Sequence, residues 1–170
     1  MKKYLTLLLL FFLTRNISFS QEITPAQSYP KTTGYASISH PIVTFDKNGN
    51  TFNFSNSYTV GFPFGINILK SDKIGVSFEI VPSIKVESGS GKMSNLLFHP
   101  GIMFRFKHGF TFVTRLAFET SGRYGLTAVF NKVLLDKKNV KYFIAVPVPF
   151  RFGNDQSASV GLGLQFGVGF

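Results

Sequence analysis

The fold is decided by the stretch VGLGLQFGVGF, residues 160–170, in which every second side chain is large and apolar and the others are Gly or Gln. Successive side chains of a β-strand point to opposite faces, so this segment has one apolar face and one nearly bare face. The aromatic Phe170 stands at the end of the apolar face. This pattern predicts a transmembrane β-strand whose apolar face meets lipid.

The N-terminus has the pattern of a secretory signal peptide. Lys2 and Lys3 precede an apolar run, residues 5–13, and small polar residues follow up to Gln21. The run is much shorter than the roughly 20 residues that cross a membrane as a helix. We therefore expect residues 1–20 to be cleaved, residues 21–33 to form a periplasmic lead-in, and residues 34–170 to form one β-barrel domain.

The composition favours a membrane-embedded domain. The chain has 21 Phe and no Cys, so neither a disulfide framework nor a lipoprotein anchor is available. Removal of residues 1–20 takes away Lys2, Lys3 and Arg15, which leaves 15 basic against 8 acidic residues and lowers the net charge from +10 to +7. Because these charges are scattered singly along the sequence, we expect anionic lipid head groups as partners and no nucleic acid.

Eight segments are long enough to cross a bilayer as tilted strands, which takes roughly 9 to 11 residues each. They cover approximately residues 34–45, 58–69, 74–87, 96–107, 110–120, 124–135, 140–152 and a last strand that ends at Phe170. Turn signals such as Asn48-Gly49 and His108-Gly109, and a flexible loop at residues 88–92, separate them. The sequence predicts an all-β fold, namely a closed antiparallel eight-stranded up-and-down transmembrane β-barrel that follows a cleaved N-terminal signal peptide.

Polarity assigns the two faces of these strands. In residues 74–87 the apolar side chains occupy every second position, and Ser77, Glu79 and Lys85 lie on the other face. A soluble barrel of the opposite polarity would have to enclose the phenylalanines, but an eight-stranded lumen is just wide enough for side chains to fill it. We expect the apolar face outside and the charged face inside.

Prolines interrupt several predicted strands. Proline cannot donate a hydrogen bond to a neighbouring strand, so it disfavours regular pairing. The prolines within predicted strands are Pro63, Pro82, Pro100, Pro147 and Pro149. We expect bulges or local gaps in the hydrogen bonding at these positions.

With its signal peptide, eight alternating strands and terminal sequence GLQFGVGF (163–170), the chain resembles the small outer-membrane β-barrel proteins of Gram-negative bacteria over residues 21–170. The resemblance implies a porin-like membrane protein of the cell outer membrane, with both termini in the periplasm. It further implies contact with outer-membrane lipids, including lipopolysaccharide, and a monomeric barrel. Phe166, Val168 and Phe170 would form the C-terminal signal that the barrel-assembly machinery reads during biogenesis.

Charged residues on the inward face are the candidate site. Strand direction places Glu79, Arg105 and Arg115 at similar depth, and an isolated buried charge is costly, so we expect these three to form a lumen charge cluster. A second, upper layer would contain Lys85, Glu87, Glu119 and Arg151. The clusters either fill a closed lumen or line a gated path for small solutes.

Three functions fit this sequence. The first is a mainly structural or membrane-organising barrel with a charge-filled lumen and no enzymatic activity. The alternative is a narrow channel for small solutes, with a lateral opening where Pro147 and Pro149 break the pairing. The third is a lipid-modifying acyl hydrolase, although neither His40 nor His99 has a serine nearby in sequence on its own face. No metal-ligand spacing or nucleotide fingerprint occurs, so we expect no metal and no cofactor.

Overall fold

A computed structural model describes residues 28–55 and 57–170. The predicted signal peptide and the predicted start at Gln21 lie outside the described residues. The ten strands are β1 (Lys31–Asp46), β2 (Gly49–Phe52), β3 (Tyr58–Gly61), β4 (Phe64–Leu69), β5 (Ile74–Glu87), β6 (Ser90–Arg105), β7 (Phe110–Glu119), β8 (Tyr124–Asp136), β9 (Lys141–Phe152) and β10 (Ser159–Gly169). A short 3₁₀ turn, Lys107–Gly109, joins β6 to β7. No helix in the described ranges is long and apolar enough to cross a membrane.

The strands form an antiparallel ring of eight hydrogen-bonded positions. Strands β5 to β10 pair in chain order, and β10 pairs with β1. The short strands β2, β3 and β4 all pair with β1, and β3 and β4 also pair with β5, so together they occupy the single position between β1 and β5. We call the end with the connections at residues 70–73, 105–110 and 136–141 the turn end, and the opposite end the loop end.

Most predicted strands agree with the observed ones to within three residues. Two predictions are wrong. The second strand is not continuous: β3 ends at Gly61 and β4 begins at Phe64, and the gap contains Pro63, where a local defect is expected because proline has no backbone N–H to donate. The flexible loop at residues 88–92 is instead a two-residue turn, in which Ser88 and Gly89 both have positive φ, so β6 begins at Ser90 rather than Leu96.

Side chains alternate between the outside and the inside of the ring. On β5, Phe78 and Ile80 are exposed while Ser77 and Glu79 are buried. Exposed large apolar side chains occur at all eight positions, for example Ile38, Phe64, Phe78, Phe104, Leu116, Phe130, Phe150 and Phe166. The described part of the chain therefore presents an apolar outer belt and an interior that contains both buried polar and buried apolar side chains.

Hydrogen bonding between β9 and β10 is interrupted in the middle of the ring. Phe150 pairs with Val160 and Ala145 pairs with Gln165, but residues 146–149 and 161–164 do not pair with each other. The same residues of β9 pair normally with β8 on the other side. We refer to this interruption, which contains Pro147 and Pro149, as the β9–β10 seam.

Glycines permit the close approach of the two strands at the seam. A Cβ at Gly161 would lie 2.9 Å from Cγ of Pro149, and one at Gly163 would lie 3.0 Å from Cγ of Pro147. Two of the glycines that alternate through β10 thus make room for the two proline rings. The predicted defect at Pro147 and Pro149 is present on the β10 side only.

Candidate functional site: the polar interior of the ring

A buried carboxylate, that of Glu79 on β5, lies at the centre of the ring interior. It accepts hydrogen bonds from the Tyr35 hydroxyl (2.6 Å) and from Nδ1 of His99 (2.9 Å), and it lies 3.6 Å from Nη1 of Arg115. Arg115 also donates to the Tyr35 oxygen and to Oγ of Ser77. Glu79 and Arg115 are each only 5% exposed, so each charge depends on these partners for stabilisation.

Two glycines on intervening strands allow these side chains to meet. Tyr35 crosses β4 over Gly65, where a Cβ would lie 2.3 Å from the tyrosine ring. Arg115 crosses β6 over Gly101, where a Cβ on residue 101 would lie 2.6 Å from Cγ of Arg115. Any larger residue at either position would displace the side chain that reaches Glu79.

The network continues across the ring toward the loop end. Nε2 of His99 lies 2.9 Å from Oγ1 of Thr127, which accepts a hydrogen bond from Arg151 at 3.0 Å. Arg151 in turn donates through Nε to Glu119 at 2.6 Å. If His99 carries its proton on Nδ1 and none on Nε2, the three consecutive hydrogen bonds each have one donor and one acceptor. Arg151 donates to Thr127, the Thr127 hydroxyl donates to His99, and His99 donates to Glu79. We call the connected set of Tyr35, Ser77, Glu79, His99, Arg115, Thr127, Arg151 and Glu119 the central network.

The structure brings together some predicted site residues and separates others. Glu79 meets Arg115, and Glu119 meets Arg151. Arg105 does not join Glu79, because it lies four residues beyond Gly101, the β6 partner of Arg115, at the turn end. Lys85 and Glu87 are likewise absent from the upper layer and pair with each other at 3.0 Å on the surface of the loop end.

The sequence did not indicate that His99 and Tyr35 belong to this site. The β5–β6 register explains the omission of His99. Counted from the turn, where Glu87 opposes Ser90, Glu79 would face Phe98. A one-residue bulge at Ser94 of β6, opposite Ser83 and Ile84 of β5, shifts the pairing so that Glu79 faces His99. Two polar residues that face each other on the inward sides of neighbouring strands would indicate such a site. For Glu79 and His99 this relation can be recognised only when the position of the bulge is known.

Among the cavities formed by the described residues, two lie on opposite sides of the central network. The larger one, about 850 Å³, opens at the turn end, and Tyr35 and Arg115 lie at its inner limit. The smaller one, about 140 Å³, is lined by Glu79, His99 and Arg151 and extends to the seam residues Pro147, Pro149, Gly161 and Gly163. The network therefore separates the space at the turn end from the space behind the seam.

The order Thr127, His99, Glu79 resembles that of a nucleophile, a base and an orienting acid. The Thr127 side chain, however, is 2% exposed and its oxygen is already bonded to Arg151. This hydroxyl therefore bonds to the neighbouring side chains of His99 and Arg151. Among residues 28–55 and 57–170, no group of three or more His, Cys, Asp or Glu side chains is arranged to hold a metal ion.

The predicted assembly signal lies on the outer face of β10. Phe166 is exposed toward the outside of the ring, Val168 is partly exposed, and Phe170 is exposed at the turn end. The backbone of Phe170 exchanges two hydrogen bonds with Gly34, at 2.8 and 2.9 Å, which extends the pairing of β10 with β1 to the last residue.

No protein-family model matches the chain, and no curated protein sequence matches it. Among solved structures it is similar to a de novo designed transmembrane β-barrel, with a TM-score of 0.48 and 10% identity over 85% of this chain and 98% of that one. It is similar to the de novo designed TMB2.3, with a TM-score of 0.46 and 13% identity over 85% and 96%. It is also similar to Ail, the attachment invasion locus protein of Yersinia pestis, solved in complex with the heparin analogue sucrose octasulfate, with a TM-score of 0.43 and 9% identity over 84% and 100%.

Proposed function

We propose that this protein is an integral outer-membrane β-barrel whose role is mainly structural or membrane-organising, and whose lumen is closed by charged side chains. The observation that carries the proposal is the central network, which occupies the middle of the ring between the two cavities. Its buried charges are all paired, at distances from 2.6 to 3.6 Å. A paired network of this kind resists the entry of ions because any passing charge would have to replace an existing partner.

The apolar outer belt supports the membrane location. A protein that exposes large apolar side chains at every position of its ring would aggregate in water. A lipid bilayer covers these side chains and removes the free-energy cost of exposing apolar surface to water. Within this proposal the turn end faces the periplasm, and the barrel is a monomer in contact with outer-membrane lipids, including lipopolysaccharide. We expect the refolded protein to migrate differently on gels before and after boiling; identical migration would count against a stable barrel.

Single-channel recording tests the closed lumen. The refolded protein, verified by the gel shift, is inserted into planar bilayers beside Arg115→Ala and, as a matched control, Arg105→Ala. We expect the unmodified protein and the Arg105 variant to be silent, because the network stays complete in both. Discrete openings in the unmodified protein would contradict the structural role.

A narrow channel with a lateral opening is the second candidate, and the seam is the observation that favours it. A pair of strands held without hydrogen bonds over residues 146–149 and 161–164 separates more easily than a pair that is bonded along its whole length. The 140 Å³ cavity lies directly behind it. Small solutes could pass between this cavity and the membrane without crossing the central network.

Locking the seam with an engineered disulfide distinguishes the two candidates. Because the chain has no native cysteine, only the introduced pair can form a disulfide within it. Val148 and Leu162 are the positions that would oppose each other across the seam, and Ile144 and Phe166 pair in the intact region. If the seam opens, oxidation of V148C/L162C blocks solute uptake in proteoliposomes while oxidation of I144C/F166C does not. Equal uptake by both locked variants would exclude the lateral path.

We further propose that the barrel has no catalytic activity, since the Thr127 hydroxyl is bonded within the network. Thr127→Ala should then lower stability and leave membrane lipids unchanged. A deletion strain with altered lipid A, restored by the native gene and not by the Thr127 variant, would instead favour an acyl-modifying enzyme.

A further inference from the structure

The charges of the described residues are divided unequally between the two ends of the ring. The turn end has nine basic residues and two acids, and the loop end has four basic residues, namely Lys47, Lys85, Lys92 and Arg123, and three acids, namely Asp46, Glu87 and Asp155. The basic residues of the turn end are Lys31, Lys70, Lys73, Arg105, Lys107, Lys132, Lys137, Lys138 and Lys141. Cations that are scattered along the sequence are thus collected at one end by the antiparallel topology.

Both acids at the turn end already have partners. Asp72 accepts a hydrogen bond from the Tyr29 hydroxyl, and this bond raises the pKa of Tyr29 above its usual value. Asp136 pairs with Lys141 at 2.6 Å. Of the nine cations, only Lys141 forms an ion pair with a described residue. Four of the other eight line one cavity that opens at this end, namely Lys31, Arg105, Lys137 and Lys138.

These four cations line the mouth of the 850 Å³ cavity, and a further cation lies at its inner limit. Arg115 is 5% exposed, and its Nε–H has no hydrogen-bond partner in the described part of the chain. Arg105 and the β6 partner of Arg115, Gly101, are four residues apart, which corresponds to about 13 Å along the strand. The wall between the two levels includes the apolar side chains Leu69, Met103, Val113 and Phe143, and polar side chains such as Asn67 and Asn131 also line the cavity.

We propose that the turn-end cavity binds a phosphate group. Inorganic phosphate and a phosphate monoester both carry more than one negative charge near neutral pH and several acceptor oxygens, which lysine and arginine side chains satisfy with charge-assisted hydrogen bonds. Within a membrane barrel the mouth lies at the level of lipid head groups, so the phosphate belongs either to a membrane lipid held at the mouth or to a small soluble ion that reaches Arg115. The site is independent of whether the lumen conducts.

Two charge-matched double variants test the site. K137Q/K138Q removes two lysines from the mouth, and K47Q/K92Q removes two exposed lysines from the loop end. Each protein is placed in phosphatidylcholine nanodiscs, titrated with inorganic phosphate, and separately tested for enrichment of phosphatidic acid over phosphatidylcholine. Loss of one lysine near the bound phosphate should raise the dissociation constant about five- to sixfold. We therefore expect K137Q/K138Q to weaken binding about 30-fold and K47Q/K92Q to leave it unchanged.

The NMR signal of the Arg115 Nε–H, assigned with Arg115→Lys, identifies the source of the phosphate. A shift on addition of inorganic phosphate supports a soluble ion that enters the cavity. Enrichment of phosphatidic acid without that shift supports a lipid head group at the mouth. Absence of binding by both probes, or equal weakening in the two double variants, would overturn the proposal.

Discussion

Arg115→Ala tests most directly whether the central network stabilises the ring. The substitution removes hydrogen bonds to Tyr35 and Ser77, at 3.0 and 3.1 Å, together with the ion pair to Glu79. Removal of one partner of a buried ion pair costs about 3–5 kcal/mol. Glu79 keeps two hydrogen-bond donors, Tyr35 and His99, so we expect the lower limit, about 3 kcal/mol.

Unfolding in urea measures this loss. The chain has no tryptophan, so far-UV circular dichroism and gel mobility replace intrinsic tryptophan fluorescence. With a slope of about 2 kcal/mol per molar urea, a loss of 3 kcal/mol lowers the midpoint by about 1.5 M. Arg105→Ala is the control, and because Arg105 has no ion pair within the described residues, its midpoint should change by less than about 0.25 M.

Simultaneous replacement of both charges gives a second check. Glu79→Gln combined with Arg115→Met removes the buried charges together, so the double variant should be less destabilised than the sum of the two single variants. Equal midpoints for Arg115→Ala and Arg105→Ala would refute a stabilising network. Simple additivity in the double variant would show that the two side chains are not coupled.

Two further predictions concern the wall. Gly65→Ala should destabilise the ring by about 1–3 kcal/mol, since its Cβ would displace Tyr35 from Glu79. Gly91→Ala, where the nearest atom is 3.6 Å away, should change the urea midpoint little, and equal effects of the two substitutions would exclude a specific clearance at Gly65. Backbone amides within residues 161–164 that face β9 should exchange with deuterium faster than those within residues 165–168, because only the latter have partners on β9. NMR measures these exchange rates, and uniform protection would show that the seam is hydrogen-bonded in solution.

The strands were predictable because each has a period of two over a long segment. Residues 74–87 were assigned with the observed limits, and their apolar set faces outward as expected. The segment 58–69 has the same alternation, yet it is divided at Pro63, whose carbonyl accepts hydrogen bonds from both the backbone and the side chain of Ser37. The proline itself predicts a bulge or local gap at this position, but it does not show that the gap divides the segment into two strands, because that depends on contacts made by the neighbouring strand.

The candidate site was predictable only in part. Glu79 and Arg115 were assigned to one cluster from their similar heights on β5 and β7. Arg105 lies outside the cluster because the observed register sets it four residues from the level of Arg115, a distance that a predicted strand ending at residue 107 does not show. His99 was missed because its alignment with Glu79 depends on a bulge in β6.

By itself the sequence determined the class of strand, the approximate limits of the eight positions and which face is apolar, because side-chain alternation is a local property of each segment. Only the tertiary structure decided which inward side chains meet, where the wall lacks hydrogen bonds and how the cations collect at one end. These features depend on register between strands that are distant in sequence. A shift of one residue changes every cross-strand contact while leaving the pattern of each strand unaltered.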